Sequence, residues 1–290
     1  LRALRDKGLI ERCDIELPST NAHSLPGLKL NDEQNSVVKA LLANREGFSC
    51  HLLEGVTGSG KTEVYLQLIA DCLSRGQQAL VLIPEIGLTP QTVARFRQRF
   101  DANIAVLHSG LGDAQRYRAW EAARDGSAHI LIGTRSAVFT PLKNPGLIVV
   151  DEEHDSSFKQ QDGFRYSARD VAIKRAQLEG CPVLLGTATP SLESCYNAQR
   201  GRYQHHQLRQ RAGSGQMPKI QALDVRSKPL KGGLSEQLVG TMSETLGGGG
   251  QCLLFLNRRG YAPTLRCHDC GWIAGCKHCD ARLTVHRRQR

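Results

Sequence analysis

Short apolar runs alternate with amphipathic stretches from Leu30 to about Arg200. An apolar run bounded by turn residues indicates a buried strand, whereas apolar positions three or four apart indicate a helix. The predicted strands are Cys50–Leu53, Ala79–Ile83, Ile104–Leu107, Ile130–Gly133, Leu147–Val150 and Val183–Gly186. The predicted helices are Glu33–Ala43, Glu63–Leu73, Gln91–Phe100, Ala114–Arg124, Ala168–Leu178 and Leu192–Asn197. This alternation predicts an α/β fold with a doubly wound parallel sheet.

The flanking regions lack this alternation. Residues 1–17 are typical of the end of a preceding domain, and residues 18–29 are polar and proline-bounded like a linker. Glycine-rich stretches after residue 200 predict a connection over 201–250. The apolar run Gln251–Leu256 then predicts a strand that opens a second unit. Because the chain lacks an initiator methionine and ends on an arginine-rich stretch, we expect both ends to be cut from a longer protein.

Composition indicates a soluble, cytoplasmic protein that partners a polyanion. Hydrophobic residues make up 40% of the chain, but no apolar run approaches the roughly 20 residues that a membrane span needs. The net charge is +10, and residues 200–290 carry 16 basic and 5 acidic side chains, against 22 and 23 in residues 1–199. A basic segment beside a nearly neutral unit suits nucleic acid, with a solvated basic surface as the alternative.

A phosphate-binding loop lies between the first predicted strand and the following helix. Three glycines allow backbone N–H groups to face phosphates, the lysine reaches the β- and γ-phosphates, and the threonine hydroxyl ligates Mg²⁺. The loop residues are Gly55, Val56, Thr57, Gly58, Ser59, Gly60, Lys61 and Thr62. The sequence therefore predicts an ATP site. Gln34, upstream of the loop, is a candidate for reading the adenine edge or a helix-capping residue.

The acidic sequence Asp-Glu-Glu-His follows the strand Leu147–Val150. Asp151 is placed to hold the metal ion, and Glu152 to polarise the attacking water. Thr187 and Thr189 follow a third strand, where their hydroxyls can sense the acidic motif that ends at His154. These residues predict a site that hydrolyses ATP and couples hydrolysis to movement along a nucleic acid.

Several polar segments are candidates for binding DNA. Thr89, Thr134 and Arg135 follow predicted strands and are suited to gripping a phosphate backbone. A polar loop after the acidic motif interleaves aromatic and basic side chains that are suited to stacking on single-stranded bases. Its candidate residues are Phe158, Lys159, Phe164, Arg165 and Tyr166. The alternative is a loop that packs its aromatic rings into a local core.

Four cysteines form two Cys-x-x-Cys pairs, Cys267 with Cys270 and Cys276 with Cys279. This spacing predicts zinc binding rather than disulfide bonding. The four thiolates suit one tetrahedral site, although the short gap between the pairs also allows each pair to share an ion with residues further along. Three histidines are alternative ligands or solvated loop residues, namely His268, His278 and His286.

Taken together, the phosphate loop, Asp-Glu-Glu-His and Thr-Ala-Thr resemble the superfamily 2 helicases. The sequences Val-Leu-Ile-Pro-Glu-Ile and Phe-Leu-Asn-Arg-Arg-Gly-Tyr-Ala-Pro, the latter running into paired cysteines, are similar to the primosomal helicases of bacterial replication restart. The resemblance implies a RecA-like motor that hydrolyses ATP, unwinds DNA 3′→5′, recognises stalled or repaired forks and initiates primosome assembly. It also implies a monomer that partners forked and single-stranded DNA, single-stranded-DNA-binding protein and other primosome proteins.

The resemblance also implies a domain organisation. Residues 1–17 end a winged-helix domain, residues 30–200 form the first motor lobe, residues 251–264 begin the second lobe, and residues 265–290 form part of a zinc module. In that family eight cysteines hold two Zn²⁺ ions in interleaved pairs. This sequence differs from the family pattern because it lacks four of those cysteines and the arginine-bearing motifs of the second lobe. We therefore expect the isolated chain to have low activity.

Two other functions share part of this pattern. Another DNA translocase of superfamily 2 has the same three core motifs and differs in the cysteine-rich insertion. A non-catalytic, zinc-bearing DNA-binding module with a structural nucleotide site belongs to a different class. Zinc content, preference for forked DNA and the effect of replacing Lys61 discriminate among these functions.

Overall fold

The computed structural model describes residues 23–212, 219–255 and 267–275. The chain divides into two compact units, residues 1–215 and residues 216–290. The first unit contains the large sheet and both of its helical layers. Within the described residues, no helix is both long and apolar enough to cross a membrane.

The first unit is built on a parallel sheet in the order β11-β2-β10-β7-β3-β6-β5. Its strands are β2 (Cys50–Gly55), β3 (Gln78–Leu82), β5 (Ile104–Leu107), β6 (Ile130–Gly133), β7 (Pro145–Asp151), β10 (Val183–Thr187) and β11 (Gln204–Leu208). Two-residue strands form small antiparallel pairs beside it: β1 (His23–Ser24) with β4 (Phe100–Asp101), and β8 (Lys159–Gln160) with β9 (Tyr166–Ser167). All carboxyl ends of the parallel strands therefore meet at one edge.

Helices cover both faces of this sheet. They are α1 (Asp32–Ala43), α2 (Lys61–Ser74), α3 (Pro90–Arg99), α4 (Asp113–Asp125), α5 (Ala168–Glu179) and α6 (Leu192–Gln199). Buried side chains of α1, α2 and α3 pack on one face, and those of α4 and α5 on the other. Alternate strand residues serve the two faces: Leu53 packs in the first core and Leu52 in the second, both fully buried. The predicted RecA-like fold is confirmed.

Four elements arise within residues 201–250, where the sequence predicted only a connection. Strand β11 carries mostly polar residues, which an edge strand tolerates because one side of it lacks a neighbour. In the second unit, β12 (Leu230–Lys231) and β13 (Leu234–Ser235) form a hairpin over Gly232 and Gly233, both at positive φ. Helix α7 (Glu236–Gly247) follows, capped by Ser235, and none of its residues is buried.

The predicted strand Gln251–Leu256 is wrong over its described part. Residues 251–255 form no strand, because none of the described residues pairs with them. Leu253 is 97% exposed and Phe255 is 82% exposed. A strand is defined by hydrogen bonds to a neighbour, so an apolar run alone does not establish one.

Candidate functional site

The phosphate-binding loop joins β2 to α2 at the carboxyl edge of the sheet. Gly58 and Gly60 both adopt φ +82°, the left-handed conformation that glycine adopts without steric cost. A Cβ at Gly55 would lie 2.5 Å from Ser59 Oγ and 3.0 Å from Lys61 Cγ. The glycines therefore allow the tight turn that directs the loop towards the start of α2.

Lys61 is buried at the floor of a cleft of about 720 Å³. Its Nζ donates to the carbonyl oxygen of Gly55 at 2.9 Å and lies 3.9 Å from Glu152 Oε1. Thr62 and Asp151 line the same cleft. The buried Ser59 hydroxyl has no hydrogen-bond partner among the described residues. A buried cation, an unpartnered hydroxyl and the N-terminus of α2 fit a polyphosphate.

Asp151 ends β7, and its Oδ1 accepts a hydrogen bond of 3.0 Å from the Tyr65 hydroxyl. Burial raises the pKa of Asp151, and the neighbouring Glu152 carboxylate raises it further, whereas the bond from Tyr65 and the charge of Lys61 oppose the rise. A side chain at Gly186 would overlap the Tyr65 ring and hydroxyl. A half-buried carboxylate that lines the same cleft as Thr62 fits Mg²⁺, a cation that takes oxygen ligands.

Glu152 has a φ of +48°, which is unusual for a residue with a side chain. This conformation turns the chain directly after β7 and leaves Glu152 in the cleft near Lys61. Backbone strain of this kind costs on the order of 1–3 kcal/mol, so the surrounding contacts must hold it. One such contact is the bond from Glu153 N to the Gly186 carbonyl oxygen, 3.1 Å long.

The three predicted coupling residues meet beside this turn. His154 Nδ1 lies 2.7 Å from Thr187 Oγ1, and its Nε2 lies 3.3 Å from Thr189 Oγ1. His154 also approaches Glu152, with 3.7 Å between Nδ1 and Oε2. The acidic motif and the third strand end are thus joined by a chain of polar contacts that begins in the nucleotide cleft.

A second, buried network lies behind these residues and was missed in the sequence. The Glu153 carboxylate accepts hydrogen bonds from the backbone and hydroxyl of Ser191, from the Ser194 hydroxyl and from Arg169. Arg169 is itself buried, so its charge is satisfied within the protein rather than presented to a ligand. Glu153, the third acid of the motif, gave no signal of its own in the sequence. Tyr65 was also missed, although it lies one helical turn after Lys61 and therefore on the same face.

Gln34 performs the capping role that the sequence left open. Its side chain accepts from Asn31 N at 3.0 Å and its own backbone N–H donates to Asn31 Oδ1, a capping box at the start of α1. Its Nε2 also donates to the Ser59 carbonyl oxygen at 2.8 Å. Gln34 is therefore tied to the phosphate loop, and its amide is already engaged at both ends.

Two of the predicted DNA-binding residues are buried. Phe158 is 1% exposed and packs in the second core, so it is unavailable for base stacking. Thr134 is 3% exposed and likewise does not present its hydroxyl to a ligand. Arg135 is half-buried, and its Nη1 donates to the carbonyl oxygens of Ser157 and Lys159. Phe158 and Arg135 therefore support the loop rather than extend from it.

Three of the loop's candidates are exposed: Phe164, which is 79% exposed, Lys159 and Arg165. Tyr166 is half-buried against the second core, and its ring lies 6.0 Å from that of Phe164. Thr89 is also exposed and caps α3 by accepting from Thr92 N.

Cys267 and Cys270 lie in the second unit, whereas Cys276 and Cys279 fall outside the described residues. Backbone N–H groups of Cys270 and Asp269 donate to the Cys267 sulfur and lower the pKa of its thiol. Gly271, at φ +78°, closes the turn with a bond of 3.1 Å from its N–H to the Cys267 carbonyl oxygen. A turn that stabilises a thiolate fits a metal ligand. Within the described ranges, no three metal-binding side chains are clustered.

Comparison with known proteins agrees with this geometry. Residues 31–198 match the DEAD/DEAH box helicase family. The chain is 50% identical to "Replication restart protein PriA" of Haemophilus influenzae and 44% identical to that of Bacillus subtilis, over 99% and 90% of its own length. It spans 40% and 33% of the lengths of those relatives.

The structure of RecG bound to a three-way DNA junction shares the fold, with a TM-score of 0.51 at 23% identity over 67% of this chain and 25% of that one. The resemblance to primosomal helicases is confirmed by the relatives. The family implies the use of ATP and Mg²⁺. Since its model matches more than half of the sequence, the chain belongs to the DEAD/DEAH box helicases.

Proposed function

We propose that the full-length protein is an ATP-dependent 3′→5′ DNA helicase that acts in replication restart at stalled or repaired forks and initiates primosome assembly. The name of its relatives, replication restart protein PriA, supports this role. The observation that carries the proposal is the convergence of Lys61, Asp151 and Glu152 in one cleft with His154 beside Thr187. Work at a replication fork would place the protein in the cytoplasm.

Each residue of the cleft has a proposed task in ATP hydrolysis. Lys61 stabilises the negative charge that develops on the phosphates, and backbone N–H groups of the loop add further donors. Thr62 and Asp151 hold Mg²⁺, which neutralises phosphate charge when bound. Glu152 orients the attacking water and accepts its proton. Gln34 fixes the loop through Ser59.

His154, Thr187 and Thr189 are proposed to transmit the state of the nucleotide. Their contacts connect Glu152 to the end of β10 through the His154 side chain. A change at Glu152 would therefore alter the hydrogen bonding of His154 first. This arrangement supports coupling of hydrolysis to movement on DNA.

The accessible aromatic and basic residues are proposed to contact single-stranded DNA. Phe164 and Tyr166 stack on bases, while Lys159 and Arg165 neutralise phosphates. Thr89, which follows β3, contacts the phosphate backbone of the DNA. Arg135 holds the loop in place by donating to the carbonyl oxygens of Ser157 and Lys159.

Two phenylalanines of this segment separate DNA binding from folding. Phe158→Ala is expected to lower the free energy of unfolding by about 3–5 kcal/mol, because it empties a buried site. Phe164→Ala is expected to leave stability within about 0.5 kcal/mol and to weaken single-stranded DNA binding by about 10-fold. Thermal unfolding and fluorescence anisotropy measure the two effects. These assignments would be contradicted if Phe164→Ala lowered the free energy of unfolding, while Phe158→Ala left it unchanged and weakened single-stranded DNA binding.

Residues 201–250 are proposed to connect the two motor lobes, residues 251–264 to begin the second lobe, and residues 265–290 to form part of a zinc module. Cys267 and Cys270 would share one Zn²⁺ with a later pair, and Cys276 and Cys279 a second ion. The turn at Cys267 supports this proposal. The first motor lobe is proposed to span residues 30–200, with the end of a winged-helix domain over 1–17 and a linker over 18–29. Residues 23–25 of that linker contact the lobe, since β1 pairs with β4 and the Leu25 N–H donates to the Arg99 carbonyl oxygen. Partners would include single-stranded-DNA-binding protein and other primosome proteins, with the protein itself monomeric.

Polarity of unwinding tests the proposed function. With ATP, the full-length protein is expected to separate a duplex that carries a 3′ single-stranded tail much faster than one that carries a 5′ tail. A matched fork with a gap at the leading strand should be unwound as well. Absence of unwinding on every substrate, despite ATP hydrolysis, would contradict the helicase assignment and favour a translocase.

A further inference from the structure

The nucleotide cleft has a second end that the phosphate-binding residues do not account for. Its first end is lined by the loop, Asp151 and Glu152. Its second end is lined by Leu66 of α2, by α3 and by the segment before α1, with Pro26, Gly27, Leu28, Arg95, Gln98 and Arg99 as the lining residues. Leu66 lies four residues after Thr62, about 6 Å further along the helix axis. A ligand that extends beyond its phosphates would reach this end.

Arg99 is the distinctive group there. Its side chain is 9% exposed, and neither Nε nor Nη1 has a hydrogen-bond partner among the described residues. The nearest carboxylate is Glu63, with 4.0 Å between Nη2 and Oε1. A guanidinium stays charged and carries five N–H donors, so leaving two of its nitrogens unpaired in a buried position is costly. An acceptor supplied by a ligand would remove that cost.

A strap of residues 25–30 crosses this guanidinium. The Leu25 N–H donates to the Arg99 carbonyl oxygen at 2.8 Å, and β1 pairs with β4 directly after α3. A Cβ at Gly27 would lie 2.5 Å from Arg99 Nη2 and 2.7 Å from Glu63 Oε1, and would overlap Gln67. The strap then leads to the capping box of α1 beside the phosphate loop. It therefore joins the two ends of the cleft.

We propose that Arg99 binds the nucleoside portion of the nucleotide, donating hydrogen bonds to acceptors of its base or ribose at the second end of the cleft. This proposal rests on the proposed function, in which the cleft takes ATP. Glu63 beside Arg99 disfavours a further phosphate, because two anionic groups would repel each other. A base edge or a ribose hydroxyl, which offers both a donor and an acceptor, complements a carboxylate paired with a guanidinium.

Comparison of two ligands tests this proposal on the full-length protein. Isothermal titration calorimetry would measure affinities for ADP and for inorganic tripolyphosphate, which lacks a nucleoside. Arg99→Gln is expected to weaken ADP by about 10-fold or more and to leave tripolyphosphate unchanged, since a hydrogen bond to a charged group is lost at one end only. Arg99→Lys, which keeps the charge with fewer donors, should give an intermediate ADP affinity. Lys61→Ala should weaken both ligands.

Each result decides the question. Unchanged ADP affinity in Arg99→Gln, or equal weakening of both ligands, would overturn the role of Arg99. If the wild-type protein bound neither ligand, the proposed ATP site itself would fail. Where Arg99→Gln does not fold, Gly27→Ala applies the same comparison, because its methyl group displaces Arg99 and Glu63 without removing them. Selective loss of ADP binding supports the proposal there, and an unchanged ratio of the two affinities overturns it.

Discussion

Replacement of Lys61 by alanine is expected to reduce DNA-stimulated ATP hydrolysis by the full-length protein by about 10³-fold or more. The lysine is buried at the floor of the cleft, and its Nζ lies 3.9 Å from Glu152 Oε1. Removal of one preorganised group that stabilises developing phosphate charge costs about 10²–10³ in rate, and weaker nucleotide binding adds to this loss. A coupled assay for released phosphate measures the effect.

The matched control is Lys39→Ala, which removes an exposed lysine from α1 in the same unit. Its hydrolysis rate should stay within about twofold of wild type, because isolated surface charges contribute little. Hydrolysis by Lys61→Ala at the rate of Lys39→Ala would show that the cleft is not the catalytic site.

Glu152→Gln is expected to retain nucleotide binding while hydrolysis falls by about 10²–10⁴-fold. The amide keeps the size of the side chain but loses the carboxylate that accepts a proton from water, a contribution of that order in general-base catalysis. Lys61→Ala, in contrast, should weaken nucleotide binding as well as hydrolysis, because Lys61 contributes to both. Equilibrium binding of ADP and single-turnover hydrolysis of ATP measure the two properties separately.

Glu46→Gln is the control for this change, because Glu46 is an exposed glutamate in the loop before β2. Equal hydrolysis by Glu152→Gln and Glu46→Gln would remove Glu152 from the mechanism. Loss of nucleotide binding together with hydrolysis would instead make Glu152 a structural residue, held at its positive φ for the sake of the turn.

The sheet and its helices were predictable because their residues obey local rules. The run Leu147–Val150 is uniformly apolar, as a central parallel strand buried on both faces requires, and it lies inside β7. Thr89 and Pro90 mark the start of α3 as a capping residue followed by a proline in the first turn. The phosphate loop was visible because its glycines and Lys61 occupy fixed spacings.

Other features depend on tertiary contacts that the sequence does not encode locally. Phe158 and Phe164 lie in one polar segment, yet one is in the core and the other in solvent. Arg169 lies in α5 and can be buried only because it pairs with Glu153, which follows β7 and lies 16 positions earlier in the chain. Arg99 ends an ordinary amphipathic helix, and its missing acceptors become apparent only with the strap folded over it.

We propose that ATP hydrolysis at the carboxyl edge of the parallel sheet, where Lys61 lies, drives strand separation. The most direct test is the initial rate of unwinding of a forked duplex by the full-length protein at saturating ATP, compared between wild type, Lys61→Ala and Lys39→Ala. Wild type and Lys39→Ala are predicted to unwind at similar rates, and Lys61→Ala to show no unwinding above the background without ATP. Unwinding by Lys61→Ala within about twofold of wild type would contradict the account.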